Sequence, residues 1–444
     1  MAFKASYLYN LDLNLAQQDD SGRFYRRLTY LLLGIIALTA ITGIVVPAGL
    51  GWDFANFYDT GRRAAAWQIA DLYNAESLIA GAPAQGKMPY WGAPISAFIF
   101  APLSFFSPEW ALLVFKLQNV LMFFGAWWLL YWNNRRFAEA SPLDQWKFAA
   151  LFASLILLYQ PFWAIFRIGG QSTPTVFLLF TIALLNYTKE KFRVAAVCVV
   201  LALLIKPGFV FVLLPLCLVS GWRFLRALAF TFITVGLVSI LLLGWDIHAV
   251  FLQVMVQGLK NSYPWFYNSS LYVTAENLRM LAVPPVDIRL VAVPMMLLKL
   301  AILWLFGWLY WLSRREDWSG PARRHFEFLM AITFCLMLSQ TVWEHYLAML
   351  FLPLAYVVST ARQFSFRAKI LLAMVFAVSL FQNIVLVNIL NSRFSLNSVP
   401  ELIVIGLLKS SPLWLTLIFF IRYRREYFQS YRMPEWERAM VLKS

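Results

Sequence analysis

The sequence predicts an all-α, polytopic integral membrane protein, and three observations lead to that fold class. Of its 444 residues, 61% are hydrophobic and only 13% are charged, whereas soluble domains carry about 25% charged residues. The mean hydropathy is +0.67. The apolar residues also form runs of about 20 residues, the length of a helix that crosses the hydrocarbon core of a bilayer. We therefore expect one membrane-embedded domain over residues 1–444.

Helices are expected at the apolar runs, because backbone amides in lipid must be hydrogen-bonded within a helix. The predicted spans are, in chain order, Leu28–Leu50, Trp110–Trp132, Phe148–Phe166, Thr173–Tyr187, Ala227–Trp245, Ile288–Leu312, Phe326–Gln340, Leu347–Thr360, Ile370–Asn391 and Leu402–Ile421. Together with two irregular stretches, they predict about ten to thirteen transmembrane or re-entrant helices.

The two irregular stretches do not fit a regular span. Residues 93–107 are short and rich in proline, which favours a re-entrant or surface-packed hairpin. The run Val194–Ser220 is interrupted by Lys206, Pro207 and Gly208, a combination that breaks helices and brings a cation to membrane depth. We interpret it as two short half-spans that meet at Lys206.

Lysine and arginine determine the predicted orientation, because short loops rich in these residues stay in the cytoplasm. Most of the 37 Lys and Arg residues fall in alternate loops, which places both termini inside, with a basic tail over residues 422–444. We expect a multi-pass protein of the bacterial inner membrane. The net charge of +15 is then a topology signal near anionic lipids, and no nucleic-acid partner is expected.

Several classes of site are not indicated. The three cysteines, Cys198, Cys217 and Cys335, lie in apolar runs without metal-ligand spacing, so they are interpreted as small core residues. The sequence has no phosphate-binding loop of the Walker type, no dinucleotide-binding glycine pattern, no zinc-protease motif and no nucleophile elbow. We expect no metal and no cofactor. An activated substrate would have to arrive through the membrane.

In the predicted topology, the polar features of interest lie on the outer face. The first outer loop, residues 51–92, begins with Gly51 and Trp52 and then Asp53, a carboxylate at a helix end near the bilayer surface. The alternative interpretation of Asp53 is an N-cap of an amphipathic helix over Ala55–Ala70.

Cationic groups on the same face are candidate ligands for a lipid phosphate. His345, beside Glu344, is one of three histidines and can bind a phosphate or transfer a proton. Lys206 needs an anionic partner at membrane depth. The alternatives are a His345 satisfied by a backbone carbonyl and a Lys206 that extends to the nearby surface.

A set of short motifs on this face resembles glycosyltransferase family 87. The motifs are Asp53, the proline-rich stretch Tyr90–Pro102, Gly170 with Gln171, Lys206 with Pro207, the segment Asn268–Leu271, and Trp343 with Glu344 and His345. Two positions depart from the family pattern: Ser172 and Thr173 follow the Gly-Gln pair where an asparagine is common, and Tyr346 stands where many members have a second histidine.

The resemblance implies a C-type membrane glycosyltransferase fold and an inverting transfer of a sugar from a polyprenyl-phosphate donor to a glycolipid or polysaccharide acceptor. Mannose is the sugar that the family analogy favours. Asp53 would be the general base. A phosphate leaving group needs no general acid, so one carboxylate suffices. The implied donor-phosphate and substrate-binding residues are His345, Lys206, Arg167, Gln171, Glu344, Asn268 and Tyr90.

Other functions stay open at this point. A transporter or flippase of a lipid-linked sugar would need alternating access, usually built on inverted repeats, and the two halves of the chain show no clear repeat. A ligase that uses lipid-linked glycans would be expected to have a larger outer domain. The last alternative is a purely structural scaffold, which would not need a span that is broken at Lys206.

Overall fold

The computed structural model describes residues 2–45, 52–74, 90–135, 142–168, 170–260, 268–280, 282, 287–315, 320–360, 364–381 and 398–430. These residues form helices and connecting turns, and the isolated bridge between Asn268 and Trp343 is the one extended pairing within the described ranges. The all-α prediction is confirmed.

The α-helices are α1 (Ala2–Val45), α2 (Trp52–Ala65), α3 (Ala97–Phe100), α4 (Pro108–Asn134), α5 (Pro142–Leu158), α6 (Gln160–Ile168), α7 (Thr173–Thr188), α8 (Phe192–Ile205), α9 (Leu213–Val219), α10 (Trp222–Leu243), α11 (Trp245–Lys260), α12 (Val273–Met280), α13 (Ile288–Arg315), α14 (Gly320–Leu338), α15 (Phe351–Ser359), α16 (Phe366–Phe381) and α17 (Val399–Ser430). Short 3₁₀ segments lie at Ile69–Asp71, Pro94–Ser96, Ala101–Phe105, Pro207–Val212 and Glu344–Leu350.

Five of the described helices are long and apolar enough to cross a bilayer, and a bent pair of helices could provide a sixth span. The five are Asp20–Val45, Pro108–Asn134, Trp222–Leu243, Ala292–Arg315 and Val399–Tyr427. Of the remaining predicted spans, Phe148–Phe166 forms the bent pair, Thr173–Tyr187 and Leu347–Thr360 coincide with shorter apolar helices, and Ile370–Asn391 extends beyond the described residues. Phe326–Gln340 lies mostly in α14, a helix that is not among the five. The chain is therefore a multi-pass membrane protein in which long spans alternate with short or broken ones.

The predicted span Phe148–Phe166 is not one straight helix, because α5 and α6 meet at an angle of 53°. Pro161 lies in the first turn of α6 and has no N–H, so it leaves the carbonyl of Leu157 without its helical donor. The indole N–H of Trp163 donates to that carbonyl at 2.8 Å. The Trp163 side chain thereby replaces the hydrogen bond that Pro161 cannot donate.

The two irregular stretches pack against each other. Helix α8 ends at Ile205 and the chain resumes in the 3₁₀ segment Pro207–Val212, so the predicted break lies at Lys206. The proline-rich stretch folds into successive helical turns, and the backbone N–H of Ala93 and the hydroxyl of Ser96 both donate to the carbonyl of Leu204, at 2.8 and 2.9 Å. This proline-rich hairpin, residues 93–107, therefore covers the end of α8.

The amphipathic helix differs from its predicted bounds, Ala55–Ala70. It begins three residues earlier and ends at Ala65. Trp67 adopts a φ of +55°, and the N–H of Gln68 bonds back to the carbonyl of Arg63 at 2.8 Å, which closes the helix end. Asp53 therefore lies within the first turn of α2, and the alternative interpretation of an N-cap is wrong.

The interior is built from α4, α7, α8 and α14, whereas α1, α10 and α13 present large apolar side chains outward. An outward apolar surface suits a helix that faces lipid. Cys198 and Cys335 are buried, as predicted, but Cys217 on α9 is exposed, so its interpretation as a core residue is wrong. A small apolar side chain is as well accommodated by lipid as by a core.

We predict that Gly61 controls the seating of α2. A Cβ at this position would lie 2.4 Å from the backbone oxygen of Phe100, so Gly61→Ala should push α2 away from the proline-rich hairpin and cost about 1–3 kcal/mol of stability. Thermal unfolding of the detergent-solubilised protein measures this. Gly236→Ala in α10, where nothing lies within 4 Å, is the matched control and should be neutral or stabilising. Equal unfolding midpoints for the two variants would contradict the packing argument.

Candidate active site

Asp53 is held at the edge of the core by its neighbour in α2. Phe54 is fully buried and packs against Phe115 and Tyr58, with ring centroids 6.0 and 5.8 Å apart. The side chain of Asp53 itself is exposed to solvent, although many protein atoms surround it. Its position in the first helical turn favours a negative charge.

A close approach between backbones brings Gln171 to Asp53. Gly170 has a φ of +83°, and a Cβ there would lie 2.3 Å from the Cβ of Phe54, so the turn before α7 can reach α2 only with glycine. The buried Gln171 then donates a hydrogen bond from its side-chain amide to the Asp53 carboxylate. These two residues are 118 positions apart in the chain.

Lys206, at the break after α8, joins the same cluster. Its ammonium group donates to the side-chain oxygen of Gln171 at 3.0 Å and to the hydroxyl of Thr173 at 2.9 Å, and it lies 3.3 Å from Nε2 of His345. It also lies 4.7 Å from the ring centroid of Tyr346. An ammonium has three N–H groups and no acceptor. Each of the three therefore has a protein partner.

His345 reaches Lys206 from a segment that Asn268 holds in place. The side-chain oxygen of Asn268 accepts from the N–H groups of Ser270 and Val342, both at 3.0 Å. The N–H of Ser269 donates to the carbonyl of Val342 at 2.6 Å. Since His345 follows three residues later at the start of the Glu344–Leu350 segment, Asn268 positions the turn that carries the imidazole.

The predicted site residues therefore divide into two groups. Asp53, Gln171, Lys206 and His345 form one connected network. The other four predicted residues are Asn268, Tyr90, Glu344 and Arg167. The structure does not bring Asn268, Tyr90 or Glu344 into this network. The Arg167 backbone belongs to α6, and its side chain lies outside the described residues.

Tyr90 and Glu344 have partners elsewhere. The buried Tyr90 hydroxyl is 2.7 Å from the Ser96 hydroxyl, and its ring packs edge-on against Phe100. Glu344 is buried within electrostatic range of Lys409, which α17 contributes and which is itself buried. These contacts place Tyr90 in the hairpin and Glu344 against the C-terminal helix.

Two contributors to this region were missed from the sequence, Thr173 and Lys409. Thr173 was noted only as a departure from the family pattern, although it is a polar residue two positions after Gln171 at a helix start. Lys409 lies in the middle of an apolar span. A cation at that position was a signal, because such residues need an anionic partner.

The electrostatics of the network favour a carboxylate that can accept a proton. Enclosure by protein raises the pKa of the Asp53 carboxyl above its ordinary value of 3.8, and the positive charge of Lys206 opposes part of that rise. A carboxylate with a raised pKa is a better base. The arrangement thus connects a base to a partly buried cation through Gln171.

Within the described residues, no three His, Cys, Asp or Glu side chains are grouped so as to hold a metal ion. The expectation that the protein uses no metal stays a prediction.

The sequence model of glycosyltransferase family 87 matches residues 90–339 of this chain, more than half of its length. The matched range contains Gln171 and Lys206, whereas Asp53 lies 37 residues before it and His345 six residues after it. No curated protein matches the sequence.

We predict that Lys409 and Glu344 stabilise the fold as a pair. Lys409→Met would leave a buried carboxylate short of a compensating charge and should cost about 3–5 kcal/mol. The double variant Lys409→Met with Glu344→Gln should recover part of that loss, because it removes both charges. Thermal unfolding of the two single variants and the double variant measures the coupling. Additive losses would show that the two groups do not interact.

Proposed function

The chain belongs to glycosyltransferase family 87, and on that premise we propose that it transfers a sugar from a polyprenyl-phosphate donor to a glycolipid or polysaccharide acceptor. The observation that carries this proposal is the network in which the accessible Asp53 carboxylate is connected through Gln171 to Lys206. It supplies a base for the acceptor hydroxyl and a positive charge for a departing phosphate.

The proposed reaction is a single displacement. Asp53 removes the proton from the acceptor hydroxyl as the acceptor oxygen attacks the anomeric carbon of the sugar. The bond between that carbon and the phosphate oxygen breaks, and the polyprenyl phosphate leaves with the electron pair. Because attack and departure occur on opposite faces, the anomeric configuration inverts. The leaving group is already an anion, so it needs no proton.

The described network contains one carboxylate, Asp53, which is what this reaction requires. Lys206 and His345 lie beside it, and positive charge and hydrogen-bond donors aimed at a leaving phosphate stabilise the transition state. Asn268 is proposed to act through the position of His345 and not by direct contact. We propose mannose as the sugar.

The membrane supplies the remaining features of the proposal. A donor with a prenyl chain reaches its site through the bilayer, which agrees with an apolar chain that has several spans. The basic loops support an active site on the extracytoplasmic face of a bacterial inner membrane, with both termini in the cytoplasm.

Incubation of the purified protein with a panel of radiolabelled polyprenyl-phosphate sugars and a membrane lipid extract tests the function. We expect a labelled product from the mannose donor, with an anomeric configuration opposite to that of the donor. Movement of the intact donor across proteoliposome membranes without sugar transfer would overturn the proposal in favour of a transporter.

We predict that Asp53→Asn lowers kcat by about 100- to 10,000-fold, the usual effect of removing a positioned base. The amide keeps the shape of the side chain and can still contact Gln171, so the donor KM should change little. Asp246→Asn, at an exposed carboxylate in the first turn of α11, is the matched control and should keep normal activity. Near-normal transfer by Asp53→Asn would refute the base assignment.

The pH profile should report the raised pKa of Asp53. The base works when deprotonated, so kcat/KM should fall as the pH is lowered through that pKa, at a higher pH than the value of about 3.9 of an exposed aspartate. Lys206→Gln removes the charge that opposes the rise, so its residual activity should be lost at a still higher pH. The measurement is kcat/KM for the donor, taken from initial rates at saturating acceptor across the acid range. An unchanged acid limb in Lys206→Gln would show that the two charges are not coupled.

A further inference from the structure

The Tyr346 hydroxyl has no hydrogen-bond partner among the described residues, although it lies beside the network. Other tyrosines near this region are bonded: the Tyr73 hydroxyl donates to the carbonyl of Gly92 at 2.8 Å, and the Tyr159 hydroxyl donates to that of Leu347 at 2.7 Å. Tyr346 is only partly buried, and its oxygen is not among the sealed, unpaired polar atoms. Its hydroxyl is therefore open to a ligand.

The ring that carries this hydroxyl is fixed. It packs against Phe209 with centroids 4.9 Å apart and against His345 at 4.8 Å, and the Lys206 ammonium lies 4.7 Å from its centroid. The hydroxyl passes over Gly208, where a Cβ would lie 3.5 Å from it. A donor held in place before binding loses little entropy when a ligand arrives.

The position of the hydroxyl points to the substrate space. Gln171 contacts both the Asp53 carboxylate and the Lys206 ammonium, and that ammonium lies 4.7 Å from the Tyr346 ring centroid, so the base and the phenol adjoin the same cation. Lys206 is the one cation in the described network.

The Lys206 ammonium group has no N–H left to donate to a ligand. Gln171, Thr173 and His345 take its three N–H groups. When Lys206 is protonated it can only donate, so Nε2 of His345 accepts and the ring proton sits on Nδ1. Lys206 thus supplies charge, and a direct hydrogen bond to an anionic ligand has to come from another group.

We propose that the Tyr346 hydroxyl donates a hydrogen bond to a phosphate oxygen of the polyprenyl-phosphate donor, while Lys206 supplies the positive charge from behind the ring. The inference rests on the proposed donor chemistry and extends it by one residue.

Tyr346→Phe tests the proposal, because it removes the hydroxyl and keeps the ring against Phe209 and Lys206. The probes are a short-chain polyprenyl phosphate and the corresponding polyprenyl alcohol, with binding to the purified full-length protein measured by thermophoresis. We expect phosphate binding to weaken about tenfold or more, with alcohol binding unchanged. Thermal unfolding should be unaltered, since the hydroxyl has no partner to lose.

Tyr131→Phe is the matched control. Tyr131 also lacks a hydrogen-bond partner for its hydroxyl within the described part of the chain. It lies 16 residues after Phe115 on α4, which is about 24 Å along the helix. This variant should bind both probes like the wild type.

The outcomes separate this inference from the proposed function. Equal phosphate affinity of wild type and Tyr346→Phe would overturn the role of Tyr346 and leave the polyprenyl-phosphate donor standing. Weaker sugar transfer with unchanged phosphate binding would also overturn it, because the hydroxyl would then contact the sugar or the acceptor. A wild type that binds the phosphate no better than the alcohol would instead refute the donor class.

Discussion

The pairing of one partly buried cation, Lys206, with acceptors is the constraint on which the site depends. A lysine at the end of an apolar helix is costly unless acceptors surround its ammonium group, and the break at Pro207 frees the chain to turn it inward. The acceptors come from Gln171, Thr173 and His345. Satisfying one cation therefore pulls together the start of α7, the end of α8 and the segment before α15, and it leaves the Asp53 carboxylate connected to them through Gln171.

Close backbone packing makes this arrangement possible. Glycine at 61 lets α2 lie against the proline-rich hairpin, and glycine at 170 lets the α6–α7 turn touch Phe54. The hairpin in turn bonds to the carbonyl of Leu204, near the end of α8. The base and the cation thus rest on elements that support each other. A short distance between two reactive groups is maintained by residues that take no part in the chemistry.

The family match and the site cover different parts of the chain. Residues 90–339 contain Gln171 and Lys206 but neither Asp53 nor His345, and the structure joins all four in one network. The order of motifs along the sequence was enough to predict these four residues. The same reasoning predicted direct roles for Tyr90 and Glu344, which the structure places in other contacts, because a motif shows which residues are present and not which way each side chain turns.

The sequence by itself determined the fold class, most apolar helices and the break at Lys206, because hydropathy and proline act locally and can be read along a single chain. Only the tertiary structure decided the bend at Tyr159, the buried positions of Glu344 and Lys409 within electrostatic range of each other, and the open hydroxyl of Tyr346. These features depend on distances between residues far apart in the chain, such as the 139 positions between Lys206 and His345. Helix packing sets those distances, and no local pattern of residue types contains them.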